Sequence, residues 1–172
     1  MAGEISLERR TDIFIVSDVC QLKHDLEAGR LSYATNTVQS HLCRVRCGRT
    51  GRTALHVAAD AGYVHVVDLL VKFMSAEQLE VRDNEGFTAL ARVTCNGNRR
   101  LVECMIGKSG KLTTIQNDKG NIPAVAALYD GNLELARYLY SRTPPDILRP
   151  ENDIIGPTVV CEAIYNNALG KN

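Results

Sequence analysis

The sequence predicts an all-α fold, a solenoid of stacked helix pairs joined by β-turn fingers. One observation is a glycine that recurs at spacings of 35, 34 and 36 residues: Gly51, Gly86, Gly120 and Gly156. The other is a second glycine, eleven residues after each of the first three, with Asn in the fourth place: Gly62, Gly97, Gly131 and Asn167. A period of this length indicates supersecondary units that stack side by side.

The first copy shows what one unit contains. Thr53 follows the turn at Gly51 and is a suitable cap for a helix that begins next to it. Ala58 and Ala59 are small enough for neighbouring helices to approach closely, and Gly62 ends the helix in a tight turn. A second helix follows, with an apolar face formed by Val64, Val66, Val67, Leu69, Leu70 and Val71. One such pair cannot bury its own apolar faces, so the copies must stack.

These units resemble the ankyrin repeat, whose signature opens the first helix with Thr-Pro-Leu-His. Residues 51–59 (GRTALHVAA) are close to it, residues 86–91 (GFTALA) keep part of it, and residues 120–127 (GNIPAVAA) keep the proline. A fourth copy, residues 156–163 (GPTVVCEA), is degenerate. The resemblance covers roughly residues 48–165 and implies a solenoid of stacked helix pairs.

Two inserts narrow the resemblance further. Residues 73–79 and 138–143 look like the plant ankyrin-repeat proteins that carry a C-terminal PGG membrane domain, and the sequence contains no counterpart of that domain. The resemblance also implies a structural role for His56, which would hydrogen-bond backbone or Thr groups between neighbouring turns.

We divide the chain at residue 47. Residues 1–47 are predicted to be a degenerate N-terminal segment with one helix over about 17–28, because Val19, Leu22 and Leu26 line one side and Gly29 stops it. The repeats are expected in residues 48–172, at about 51–85, 86–119 and 120–155, with a partial copy at 156–172. Because the sequence stops inside this last copy, we expect a truncated form whose last ~15 residues are loosely held.

Composition excludes several classes of protein. Twenty basic and twenty acidic residues cancel, which argues against a nucleic-acid partner. No segment approaches the ~20 apolar residues that span a bilayer, so we expect no transmembrane segment. The six cysteines are irregularly spaced and favour reduced thiols in the cytoplasm, where Cys95, Cys104 and Cys161 would be small buried helix residues. A longer form with a PGG region would instead lie at the cytoplasmic face of a membrane. We expect a monomer.

No motif indicates a catalytic, cofactor-binding or metal-binding site. Residues 107–109 (GKS) suggest a phosphate loop, but the glycine required five residues before the Gly-Lys pair is replaced by Val102. His41, Cys43 and Cys47 lie close together, but no second ligand pair follows at the spacing of a zinc site. We therefore predict no enzymatic activity, no cofactor and no metal.

The resemblance implies a non-catalytic protein-protein interaction module, in plant stress or defence signalling. In such proteins the fingers and the exposed ends of the first helices bind the partner. Carried over position by position, this gives Arg52, Asp60, Arg82, Asn84, Glu85, Phe87, Asn96, Asp118, Lys119, Asn121, Tyr129, Asp130 and Tyr165.

Aromatic residues stand out in this set. Phe87, Tyr129 and Tyr165 are three of nine aromatic side chains, six Tyr and three Phe. Such rings often dominate interface energies, although they would equally well pack on neighbouring helices. The alternative function is a small-ligand-binding or enzymatic domain that uses the concave groove. It requires converging acid, base or nucleophile residues, and no such set recurs in the copies.

Overall fold

The helix pairs predicted from the glycine spacing are present in the computed structural model, which describes residues 2–30, 34, 36–38, 42–43 and 45–148. Its α-helices are α1 (Ala2–Glu27), α2 (Ala54–Asp60), α3 (Val64–Phe73), α4 (Ala76–Leu79), α5 (Ala89–Cys95), α6 (Arg99–Lys108), α7 (Pro123–Tyr129) and α8 (Leu133–Arg142). A 3₁₀ helix spans Gly110–Thr114. The described residues contain isolated β-bridges but no named strand, and the all-α prediction is confirmed.

Each copy contributes a first helix and a second helix. The first helices α2, α5 and α7 pack on one another in sequence, and each contacts the second helix of its own copy, α3, α6 or α8. Ala58, Val93 and Ala127 hold the same position in the three first helices and are fully buried. Close contact at this position joins the copies into one continuous core.

The N-terminal helix is longer than the sequence predicted. We expected it over about 17–28, with Ser17 as a possible cap, but α1 begins at Ala2 and ends at Glu27. The buried stripe of Ile15, Val19 and Leu22 already begins before Ser17, and the preceding segment has no proline to interrupt the helix. Gly29 follows the helix with a φ of 74°, as its role as a stop signal requires.

The recurring glycines adopt the left-handed conformation predicted for them. Every described member has a positive φ: Gly51, Gly62, Gly86, Gly97, Gly120 and Gly131. Gly86 has a second reason to be glycine, because a Cβ atom there would collide with the carboxylate of Asp118. Gly120 has nearly the same φ, and a Cβ atom there would meet nothing within 4 Å.

The fourth copy, at 156–172, and the predicted looseness of the last residues lie outside the described residues. The division of the chain at residue 47 stays a prediction.

Replacing Gly86 by alanine is expected to lower the free energy of unfolding by about 2–3 kcal/mol, because the left-handed backbone costs about 1–2 kcal/mol and Asp118 must also move. Gly120→Ala is the matched control and is expected to cost only about 1 kcal/mol. Urea unfolding of both variants measures the difference. Equal losses would show that Asp118 moves aside without cost.

Candidate partner-binding surface

The fingers are the turns that precede the first helices, and one side chain organises each of the later two. In the second finger, the backbone N–H groups of Glu85 and Phe87 both donate to Oδ1 of Asp83 at 3.0 Å. The N–H of Asp83 in turn donates to the carbonyl of Phe87 at 2.9 Å. In the third finger Asn117 makes the same contacts, with the N–H groups two and four residues later. These fingers are therefore held in one conformation by their own hydrogen bonds.

The first finger uses sulfur at the same place. Cys47 is buried, and its Sγ accepts hydrogen bonds from the N–H of Thr50 at 3.0 Å and from its hydroxyl at 2.6 Å. The second finger docks on this one through Asn84, whose N–H donates to the carbonyl of Thr50 at 2.9 Å. The Asn84 side-chain amide donates to the carbonyl of Arg49 at 2.8 Å. Successive fingers are thus bonded to each other as well as internally.

A guanidinium group ties the second finger to the helix behind it. The side chain of Arg92 lies 2.6 Å from Oδ2 of Asp83 and 2.8 Å from Oε2 of Glu85, and it stacks over the ring of Phe87 at 5.2 Å. Burial raises the pKa of Asp83, but hydrogen bonds from the Phe87 N–H and from Arg92 outweigh it, so this pKa lies below its usual value. Asp83 is therefore a buried carboxylate that stays ionised because it is fully bonded.

Sequence analysis missed Arg92. It stands where the first copy has Val57 and the third has Ala126. This departure from an apolar or small residue at one repeat position is the signal that would have found it.

His56 links the first copy to the second, as the resemblance implied. Its Nδ1 accepts the backbone N–H of Thr53 at 3.2 Å, so Nε2 carries the proton and donates to the carbonyl of Phe87 at 3.0 Å. The side chain is 1% exposed. Burial lowers the pKa of His56 to about 4, although the bond to Phe87 opposes the shift. The imidazole is therefore neutral at physiological pH.

The ends of the first helices form a polar row beside the fingers. In the first copy, Asp60 forms an ion pair with Arg52. In the third copy, Tyr129 is 71% exposed, and the carboxylate of Asp130 accepts a hydrogen bond from the thiol of Cys95 in the second copy. Burial, together with this carboxylate, raises the pKa of Cys95 to about 11, so the thiol is protonated.

Most of the predicted partner-binding residues are accessible. The exposed ones are Asp60, Arg82, Asn84, Glu85, Asn96, Asp118, Lys119, Tyr129 and Asp130, and the half-buried ones are Arg52, Phe87 and Asn121. We call these twelve residues the finger surface. Tyr165 lies outside the described residues. Cys95 is exposed, not buried as we expected, because it sits at the end of α5 where the helix faces solvent.

The two aromatic anchors differ. Phe87 is half-buried under Arg92, whereas the ring of Tyr129 is free to contact a partner.

Metal and membrane sites were examined over the same part of the chain. Among the described residues, no group of three or more His, Cys, Asp or Glu side chains is arranged to hold a metal ion. Within those ranges, no helix combines the length and apolar character needed to cross a bilayer.

Comparison with known proteins points to one family. The family described as ankyrin repeats (three copies) matches residues 27–112, which is half of the chain. The fold is similar to a chain in the crystal structure of the yeast ribosomal protein Rps3 in complex with its chaperone Yar1. The TM-score is 0.56 at 21% sequence identity, over 74% of this chain and 93% of that chain. No curated protein matches the sequence.

The buried imidazole predicts a pH-dependent stability. The unfolded chain takes up a proton at His56 near its ordinary pKa of 6.5, whereas the folded chain does so only near 4. The free energy of unfolding should therefore be highest above pH 6.5 and fall as the pH drops towards 4, by about 3 kcal/mol from this residue. Urea unfolding of the wild type and of His56→Gln between pH 7.5 and 4.5 measures it. The variant should show the flatter profile, and parallel profiles would contradict the assignment.

Proposed function

Because the chain belongs to the ankyrin-repeat family, we propose that it is a non-catalytic interaction module whose finger surface binds one protein partner. Tyr129 carries this proposal, since a tyrosine with 71% exposure at the end of a first helix costs solvation without adding to the core. Tyrosine and arginine are the side chains that interfaces use most as anchors. Arg82 and Lys119 stand exposed on the fingers beside it.

The rigidity of the fingers supports a binding role. Asp83 and Asn117 fix the conformations of their fingers, and Asn84 bonds the second finger to the first. A surface held in place before a partner arrives loses less conformational entropy when it binds. The yeast structure to which the fold is similar pairs a ribosomal protein with its chaperone. For this chain it supports a protein partner, and nothing narrower.

The alternative of an enzymatic or ligand-binding groove lacks an activated residue in the described part of the chain. Both nitrogens of His56 are occupied by structural hydrogen bonds. Burial raises the pKa of the Cys95 thiol to about 11 and that of Cys104 to about 12, so neither is a ready nucleophile at neutral pH.

The cellular setting that we propose is the cytoplasm of a plant cell, or the cytoplasmic face of a membrane, where the chain acts as a monomer in stress or defence signalling. Its support is the resemblance of residues 73–79 and 138–143 to the plant proteins with PGG domains. The first insert has a definite structure, because Ser75 and Gln78 cap α4 reciprocally at 2.8 and 3.3 Å. A fluorescent fusion expressed in leaf cells tests the location, and a nuclear or secreted signal would contradict it.

Tyr129→Ala is expected to weaken partner binding by about 2 kcal/mol, or roughly 30-fold, because an exposed tyrosine anchor is removed. The measurement is affinity capture from plant extract with quantitative mass spectrometry, in parallel with the wild type. Phe14→Ala is the matched control, since Phe14 is 57% exposed but lies on α1, outside the finger surface. Its captured proteins should be unchanged. The same loss in both variants, or in neither, would contradict the assignment of Tyr129.

A further inference from the structure

A groove of about 800 Å³ follows the second helix of the first copy and shares no residue with the finger surface. It runs over residues 62–72, with Lys23 and Leu26 of α1 on one side and Arg100 of α6 on the other. Its place in the fold is set by α3, which packs on both of these helices. The groove is therefore a second concave surface, built from other elements than the fingers.

The floor of this groove is apolar. Leu26, Tyr63, Val64 and Leu69 line it, and each is only half-buried although it packs against the core. Four adjoining apolar side chains that the fold leaves half open favour an apolar contact from outside.

Comparison with the other copies singles out Tyr63. The equivalent residue before α6 is Asn98, whose side chain accepts the N–H of Leu101 at 3.3 Å and so caps that helix. The equivalent before α8 is Asn132, whose side-chain amide donates to the carbonyls of Thr94 and Cys95. Tyr63 provides no cap to α3 and instead places its ring in the groove. The first copy thus lacks a stabilising polar contact and has an aromatic ring that lines an open surface.

The charges around the floor are unbalanced. Glu27 is paired with Lys23 at 3.0 Å, and Asp68 accepts a hydrogen bond from the thiol of Cys104. Lys72 and Arg100 are exposed, and neither forms an ion pair with any carboxylate of the described residues. Two cations therefore remain at the rim for acidic groups of a partner.

The spacing of these cations indicates the shape of the partner. Arg100 holds the repeat position of His65, which is seven residues before Lys72. Seven helical residues rise about 10 Å, so the two charges lie roughly two turns apart along α3. Carboxylates seven residues apart on one face of a partner helix have the same separation.

We propose that this groove binds a short acidic amphipathic helix of another protein, with apolar residues on the Tyr63–Leu69 floor and carboxylates at Lys72 and Arg100. Binding of this kind places an apolar helix face in a groove and uses charges at the rim for orientation. It is independent of the finger surface, so the two sites are able to hold different segments.

A phage-displayed library of random peptides of about 14 residues, enough for about four helical turns, tests the proposal on the full chain. Selection should enrich acidic residues spaced seven apart around apolar ones, and the enriched peptide should become helical by circular dichroism on binding. Fluorescence anisotropy should show roughly tenfold weaker binding to Lys72→Glu and to Arg100→Glu. No enrichment of acidic sequences, or an extended bound peptide, overturns the proposal.

Two further variants separate binding from folding. Tyr63→Asn introduces the residue that the other copies use, so its midpoint of thermal unfolding should be unchanged or higher while peptide binding weakens. Lys119→Glu makes the same charge change as the groove variants but lies on the finger surface, and it should bind the peptide as the wild type does. Equal weakening by Lys119→Glu, or full binding by Tyr63→Asn, overturns the assignment of the groove.

Discussion

The distance between successive copies depends on side chains that lie directly on glycines of the preceding copy. Asn84 lies against Gly51, Asp118 against Gly86 and Asn132 against Gly97, each within the space that a Cβ atom would occupy. The glycines thus serve two purposes, because they allow the left-handed turn and leave room for the neighbour. Since the fingers are bonded across these contacts, the finger surface keeps its shape only while the copies stay this close.

The periodic part of the structure was predictable from the sequence. The spacing of Gly51, Gly86 and Gly120 gave the turns, and the apolar stripes gave the paired helices, because both follow from contacts that every copy repeats. The contacts of Arg92 and the groove around Tyr63 were not predictable in this way. They depend on single residues that depart from the repeat, and their partners lie in other elements or other copies.

The start of α1 was wrong for a related reason. A cap residue such as Ser17 indicates a helix start only when nothing before it continues the apolar stripe, and Ile15 does continue it. Tyr129 shows the opposite case. Its exposure was predicted from its repeat position alone, because the end of a first helix faces solvent in every described copy, as Asp60 and Cys95 also show.

A repeat protein contains its own reference for judging single residues. Positions shared by all copies, such as Ala58, Val93 and Ala127, are explained by stacking. A residue that differs from its counterparts needs a cause in its own surroundings. For His56, which stands where the other copies have Ala91 and Val125, that cause is visible, because its Nε2 bonds the next finger. For Tyr63 no contact within the fold replaces the asparagine cap, and a polar position has become part of an apolar floor. Selection for stability alone would retain the cap, so the tyrosine indicates a contact that the chain makes with another molecule.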